Sequence, residues 1–423
     1  MDKIDKAKLF SHITEQHIDN TTFLWLQRSQ AVTHPQQTHI TIKKLEQRIH
    51  RHLKGLSVTP ETAWELGQQA ARFQESGEAF TLTMLAFDSA DTQKINTALD
   101  LGMENPATFK GLLSALGWLP PNKVDPWLKP WLENQNPIYR HLSIATCSIR
   151  RINPHQHLTA LFDDEQSREY LPLYSRMLRL AGELKRQDLA PVLAQAQRHE
   201  DPSIVFWARW STRLLGNHQA SQELAPYLLQ TSPQQSAAID IAFRQQQNNL
   251  AWQWLDTLAN TPGQTRPTIK ALAALGDPHG MDWLLTQMKI PEYAQIAGEA
   301  FSTITGVDLE QAQLIDKQPR NLESLIKEEE REERVDELAL DEDLNLPMPH
   351  AEKISQHWQR LRPQFTPGQR YFLGRPVTPN LLKHTFLYGR ARHRLAAALE
   401  FALLAPTHAY LNAKATRCQE GTA

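Results

Sequence analysis

The side chains with chemical potential in this chain fall into a few short groups. Near the C-terminus, Arg390, Arg392 and Arg394 surround His393. If they lie on a helix, Arg390 and Arg394 share one face at i, i+4. Paired guanidinium groups there suit an anion or an acidic protein partner. A solvated helix face, or a contact with acidic residues of the same chain, would account for them equally well. A second group is tryptophan-based. Trp127 and Trp131, and again Trp207 and Trp210, sit at helical spacing, and Arg209 and Arg213 accompany the latter pair. Arginine over indole gives a cation–π rim, which makes Trp207, Arg209, Trp210 and Arg213 a candidate protein-binding surface. Aromatic platforms hold single-stranded nucleic acid when a basic groove accompanies them. The surrounding sequence is not basic, so packing between helices competes with any binding role.

Other combinations carry less. Cys147, His155 and His157 are metal-ligand types. The His-x-His spacing is not diagnostic of zinc, and Pro154 marks a new helix start between them. Asp163-Asp164-Glu165 is a carboxylate run that reads as a turn followed by a helix cap. No GxGxxG, GxxxxGK[ST], HExxH or GxSxG pattern occurs. The expectation is a chain without catalytic residues, bound cofactor or metal.

The elements that would position these groups are helices. A short apolar stretch closed by glycine recurs at Gly117, Gly182, Gly216, Gly276 and Gly306, in steps of 30–34 residues or about twice that. The skipped units would close near Arg150-Arg151 and near Asn248-Asn249, without glycine. In step with these stops come Asn105-Pro106, Asn136-Pro137, Asp201-Pro202, Ser232-Pro233 and Asp277-Pro278. Asn, Asp or Ser at the cap accepts a bond from a free backbone N–H. Proline at the first helical position removes a donor that has no partner there. Between the marks, apolar residues follow i, i+3, i+4, i+7, as at Ile269, Leu272 and Ala273, then Met281, Leu284, Leu285 and Met288. Antiparallel helix pairs of 30–34 residues, each unable to bury its apolar face alone, predict an all-α, HEAT-like α-solenoid.

Composition divides the chain. Residues 1–78 read as an N-terminal helical cap, with helices over Ile13–Gln30, Ile42–Gly55 and Thr59–Phe73. Residues 79–318 are the repeats. Residues 319–349 form an acidic linker, with 11 Asp/Glu between Glu323 and Asp343 against Lys327, Arg331 and Arg334. Residues 350–423 are basic, with a short extended stretch over Tyr371–Val377 and a long last helix from Thr378-Pro379 to about Leu404. The net charge of -2 gives no overall electrostatic case for nucleic acid. Two cysteines, an N-terminus without a basic-then-apolar leader, and no 18-residue apolar run predict a cytoplasmic protein without a membrane span.

Several stretches resemble an uncharacterised bacterial HEAT-repeat protein family encoded beside type VI secretion genes. The run Gln16-His-Ile-Asp-Asn-Thr-Thr-Phe-Leu-Trp-Leu-Gln-Arg28 is similar to that family's opening helix. Leu45-Glu-Gln-Arg48, with His52-Leu-Lys-Gly-Leu56, resembles its second. Ile296-Ala-Gly-Glu-Ala-Phe-Ser-Thr-Ile-Thr-Gly-Val-Asp308 is the most specific segment, and Gly368-Gln-Arg-Tyr-Phe-Leu-Gly374 also fits. The ending Thr416-Arg-Cys-Gln419 fits loosely. The resemblance implies a non-enzymatic accessory protein whose partner is a secreted effector or a spike component. An immunity protein masking a toxin is the alternative, and a HEAT-like nucleic-acid enzyme a more distant one.

Overall fold

The structure, a computed structural model, describes residues 3–244, 248–316, 343 and 346–416. The chain is all-α. Among the described residues, strand is confined to a two-residue hairpin and two isolated bridges. No helix among them is long and apolar enough to cross a membrane. Most of the acidic segment 319–349 lies outside the described residues. Contacts divide the chain into two compact units, Met1–Asn217 with Thr385–Ala423, and His218–His384. The boundaries therefore fall elsewhere than the composition shifts, and the basic C-terminal segment is split between units.

The first unit opens with α1 (Lys3–Ala31), α2 (His39–Leu56) and α3 (Pro60–Ala70). It continues with α4 (Ser76–Ser89), α5 (Thr92–Gly102), α6 (Pro106–Trp118), α7 (Pro121–Leu132) and α8 (Pro137–Arg150). Then follow α9 (Gln156–Asp163), α10 (Glu165–Glu169), α11 (Leu171–Glu183), α12 (Ala190–Ala196) and α13 (Pro202–Leu214). Helix α4 packs on α6, α6 on α8, α8 on α11 and α11 on α13. One buried apolar cluster runs with them from Trp64 to Ala208. The Asx-Pro marks perform as expected in this unit. The side chains of Asn105, Asn136 and Asp201 accept bonds from the free N–H groups of α6, α8 and α13, with proline at the first position.

The glycines divide into two kinds. Gly182 lies inside α11 and Gly117 inside α6, so neither is a stop. A Cβ on Gly182 would stand 2.7 Å from Ser211 Cα, so glycine lets α11 and α13 touch. The skipped stop at Arg151 is real. Arg151 itself takes the left-handed turn after α8, with φ +57°. The one expected at Asn248-Asn249 is not a stop, because those residues begin a helix.

In the second unit, α14 (Ala225–Leu228) and α15 (Gln235–Phe243) are followed by α16 (Asn248–Ala259), α17 (Thr265–Leu275), α18 (Met281–Gln287), α19 (Pro291–Thr305) and α20 (Ala351–Leu361). Helix α15 packs on α17 and α17 on α19. Ser232-Pro233 sits one turn before α15 rather than capping it, and Asp277-Pro278 caps a single 3-10 turn. Gly276 and Gly306 do end α17 and α19 in the left-handed region. Their second role is steric. The extended stretch forms a hairpin, Tyr371–Phe372 against Arg375–Pro376, turned by Leu373 and Gly374 at positive φ. A Cβ on Gly276 would stand 2.3 Å from Tyr371 O, and one on Gly306 2.6 Å from Leu373 O. The hairpin N–H groups of Tyr371, Leu373 and Gly374 donate to Gly276, Thr303 and Ile304 carbonyls. The hairpin thus satisfies helix-end carbonyls that would otherwise lack donors.

The last helix is two helices, α21 (Pro379–Tyr388) and α22 (Ala391–Leu404). The break has a local cause. Arg390 is extended at ψ 155°, its backbone bridges Thr38, and Ala391 N–H donates to Gln37 O.

Candidate functional site

The two expected binding surfaces are placed differently from their sequence reading. Trp207 and Trp210 are adjacent, with ring centroids 5.5 Å apart in an edge-to-face pair. Trp207 and Arg209 are half-buried, but Trp210 is 4% exposed and Arg213 1%. Trp207, Arg209, Trp210 and Arg213 therefore do not form an open rim. Helix α13 is held by α11, α12 and α22, which leaves it few positions facing solvent. Burial also pulls the Arg213 guanidinium down to about 10, still charged at neutral pH. The cation over both indoles is Arg179 of α11, 4.7 Å from the Trp207 ring and 5.8 Å from that of Trp210. Arg390 and Arg394 also sit differently from an i, i+4 pair on one helix. Arg390 precedes α22 rather than lying on it. Arg394 is 3% exposed, and its Nε donates to Phe386 O at 2.8 Å while its guanidinium lies over the Phe386 ring. It fastens the break between α21 and α22 and offers no i, i+4 anion fork.

What the helices do assemble is a polar network around Glu183, the last residue of α11. Glu183 is 1% exposed. Its Oε1 accepts from Arg179 Nε at 3.0 Å, and its Oε2 from Arg151 Nη1 at 2.9 Å and from the Ser148 hydroxyl. Burial would raise this carboxyl, but Arg179, Arg151, Arg176 and Ser148 together hold it below the usual carboxylate value. Arg151 reaches Glu183 because it is the left-handed residue that ends α8, and Ser148 lies one turn before it.

Residues 405–416, which follow α22, cross this network as a strap. Tyr410 N–H donates to Glu183 O at 2.7 Å, and Arg151 donates to Tyr410 O and lies over its ring. Asn412 Nδ2 donates to Ile149 O at 2.8 Å, and Arg28 Nη2 to Lys414 O at 2.7 Å. Arg28 is itself paired with buried Glu46 at 2.8 Å. Lys185 ties the end of α13 to the last turn of α22, from which the strap leaves. It is 7% exposed and donates to Leu214 O and to Ala402 O. Desolvation, and then Arg213, pull its amine down to about 7.

Lys185 makes stability depend on pH. A free lysine titrates near about 10.4, so between pH 7 and that value the unfolded chain binds more protons at this site than the folded one. Stability must then rise with pH across that window. Urea midpoints of the chain are expected to increase from pH 7 to pH 9.5, and Lys185→Met should flatten that rise. An unchanged slope in the variant would contradict the assignment.

Cys147 is buried and its thiol pushed up to about 12 by desolvation, so it stays protonated. Among the described residues no group of three or more His, Cys, Asp or Glu is placed to hold a metal. Sequence reading missed the Glu183 network. Its signal was present only as Arg176, Arg179 and Glu183 at i, i+3, i+7, a pattern common on any solvated helix. Compared with protein-family models, with curated proteins and with solved structures, the chain matches none of them.

Proposed function

We propose that this chain is a non-catalytic, protein-binding scaffold whose helix pairs stack as a HEAT-like α-solenoid. One observation carries the reading. Helices α4, α6, α8, α11 and α13 pack in unbroken chain order, with one buried cluster running through them. Each pair contacts its sequence neighbours, as in repeat arrays, whose broad faces engage other proteins. The partner follows from the resemblance in the N-terminal helices and in Ile296–Asp308. The scaffold is a cytoplasmic type VI secretion accessory that holds an effector, or the effector–spike junction, before export. Deleting the gene is then expected to abolish export of one effector and lower its loading or cellular level. Unchanged export would contradict the proposal, and killing of the deleted strain only when a cognate toxin is present would favour an immunity role instead.

A further inference from the structure

Helix α2 turns an unbroken positive face to solvent. Lys43, Lys44, Arg48, Arg51 and Lys54 are all exposed, and Gln47 stands among them. By helical spacing these positions share about 140° of the circumference. The opposite side, with Ile42, Ile49 and Leu56, is buried. The helix has no acid in its first turn, and its one carboxylate, Glu46, is buried and held by Arg28 at 2.8 Å. Glu15 of the neighbouring α1 lies against His12 instead, at 3.8 Å. Among the described residues, none of the five cations forms an ion pair.

This arrangement works against the helix. Lys44 and Arg48 are like charges at i, i+4, and Arg48, Arg51 and Lys54 follow at i, i+3, spacings that make side chains neighbours. Like charges so placed destabilise a helix, and no acid among the described residues offsets them. Beside the cations lies an open groove of about 420 Å³, walled by Lys43, Gln47, His50 and Arg51. The His50 ring lies 5.5 Å from that of Trp118, and its Nε2 is buried without a hydrogen-bond partner among the described residues. Lysine and arginine only donate, and an amide and an imidazole N–H can donate too, so this wall suits anionic oxygen.

We propose that this face of α2 docks an acidic segment of the protein partner, with carboxylates entering the groove. The inference rests on the scaffold reading above and names the chemistry of its partner. From Lys43 to Lys54 the face runs roughly 16 Å, the reach of about five extended residues or three helical turns. A short acidic segment matches that length. A nucleic acid duplex would run past it over a chain whose net charge is -2. A lipid surface needs an exposed apolar side, and that of α2 is buried.

The test is titration of the full chain with a fluorescent oligoglutamate of about six residues, at low and at physiological salt. Saturable one-to-one binding that weakens with salt is expected. The triple variant Lys44→Gln, Arg48→Gln, Arg51→Gln should weaken it by about tenfold or more, the loss of charge-assisted contacts. Its thermal midpoint should not fall, because like charges are removed, which separates binding from folding. Arg168→Gln with Arg198→Gln, exposed cations on α10 and after α12, should leave the affinity unchanged. The His50 ring signals in NMR should move on titration, since that ring walls the groove. No saturable binding, or binding that the triple variant retains, overturns the site. So does a DNA duplex that binds more tightly and that oligoglutamate cannot displace, which would make the face a nucleic-acid contact. In purification from native cells, a partner still held by the triple variant overturns the site and leaves the scaffold role standing. No partner on the wild-type chain overturns that role, and the docking site with it.

Discussion

Glu183→Gln is expected to lower the unfolding free energy of the first unit by about 3 kcal/mol or more. The substitution keeps the volume and removes one charge. Arg151 and Arg179 lose a partner that each contacts within 3.0 Å, and Arg176 loses the negative charge that offsets its desolvation. Breaking a buried pair from one side leaves uncompensated charge, which costs far more than the intact pair contributes. The pH dependence gives a second check. The folded carboxyl lies below its unfolded value of about 4.3. Its contribution is therefore fully present above that value and is lost as pH falls through the folded pKa. Urea unfolding followed by tryptophan fluorescence should show wild type losing stability between neutral pH and the acid range more steeply than the variant. A change below about 1 kcal/mol at pH 7 would mean the network is screened like a surface pair.

Gly111→Ala should be the other severe substitution, although alanine is the better helix former by about 1 kcal/mol. Gly111 lies in α6 where that helix crosses α4. An added Cβ would stand 2.0 Å from Ser76 O and 2.9 Å from Phe80 N, both backbone atoms that cannot rotate away. The helices must separate, and overpacking of this kind costs about 3 kcal/mol. Gly263→Ala is the control. Gly263 has φ +79° and nothing within 4 Å of the added Cβ, so its cost is limited to left-handed strain of about 1–2 kcal/mol. Thermal midpoints should therefore fall much further for Gly111→Ala than for Gly263→Ala. Equal shifts would contradict the close crossing of α4 and α6.

The helical architecture was legible because its signals are local. Asn105, Asn136 and Asp201 cap helices through bonds spanning two or three residues, and the amphipathic period needs only one helix. Arg151 shows the limit of glycine as punctuation, since a left-handed stop is available to another residue when its side chain is held, here by Glu183 and Tyr410. Gly182 shows the converse, a glycine chosen for contact with Ser211 rather than for a turn. The binding surfaces were not legible, because burial depends on what packs over a helix. Trp210 and Arg213 looked like a rim until α22 is placed against α13. Arg394 looked like half of an anion fork until α22 begins at Ala391 and leaves Arg390 outside the helix. The Glu183 network joins residues from α8, α11 and the strap, as the Arg151–Tyr410 contact does across 259 positions. No window of sequence spans that distance.

The protein-binding role itself is tested most directly by purifying the tagged full-length chain from its native cells at low salt and measuring the stoichiometry of what remains bound. The account predicts one protein at a fixed ratio to the scaffold, and that same protein in the exported fraction. A chain that elutes with no protein at fixed ratio, under conditions where it is folded and soluble, would contradict it.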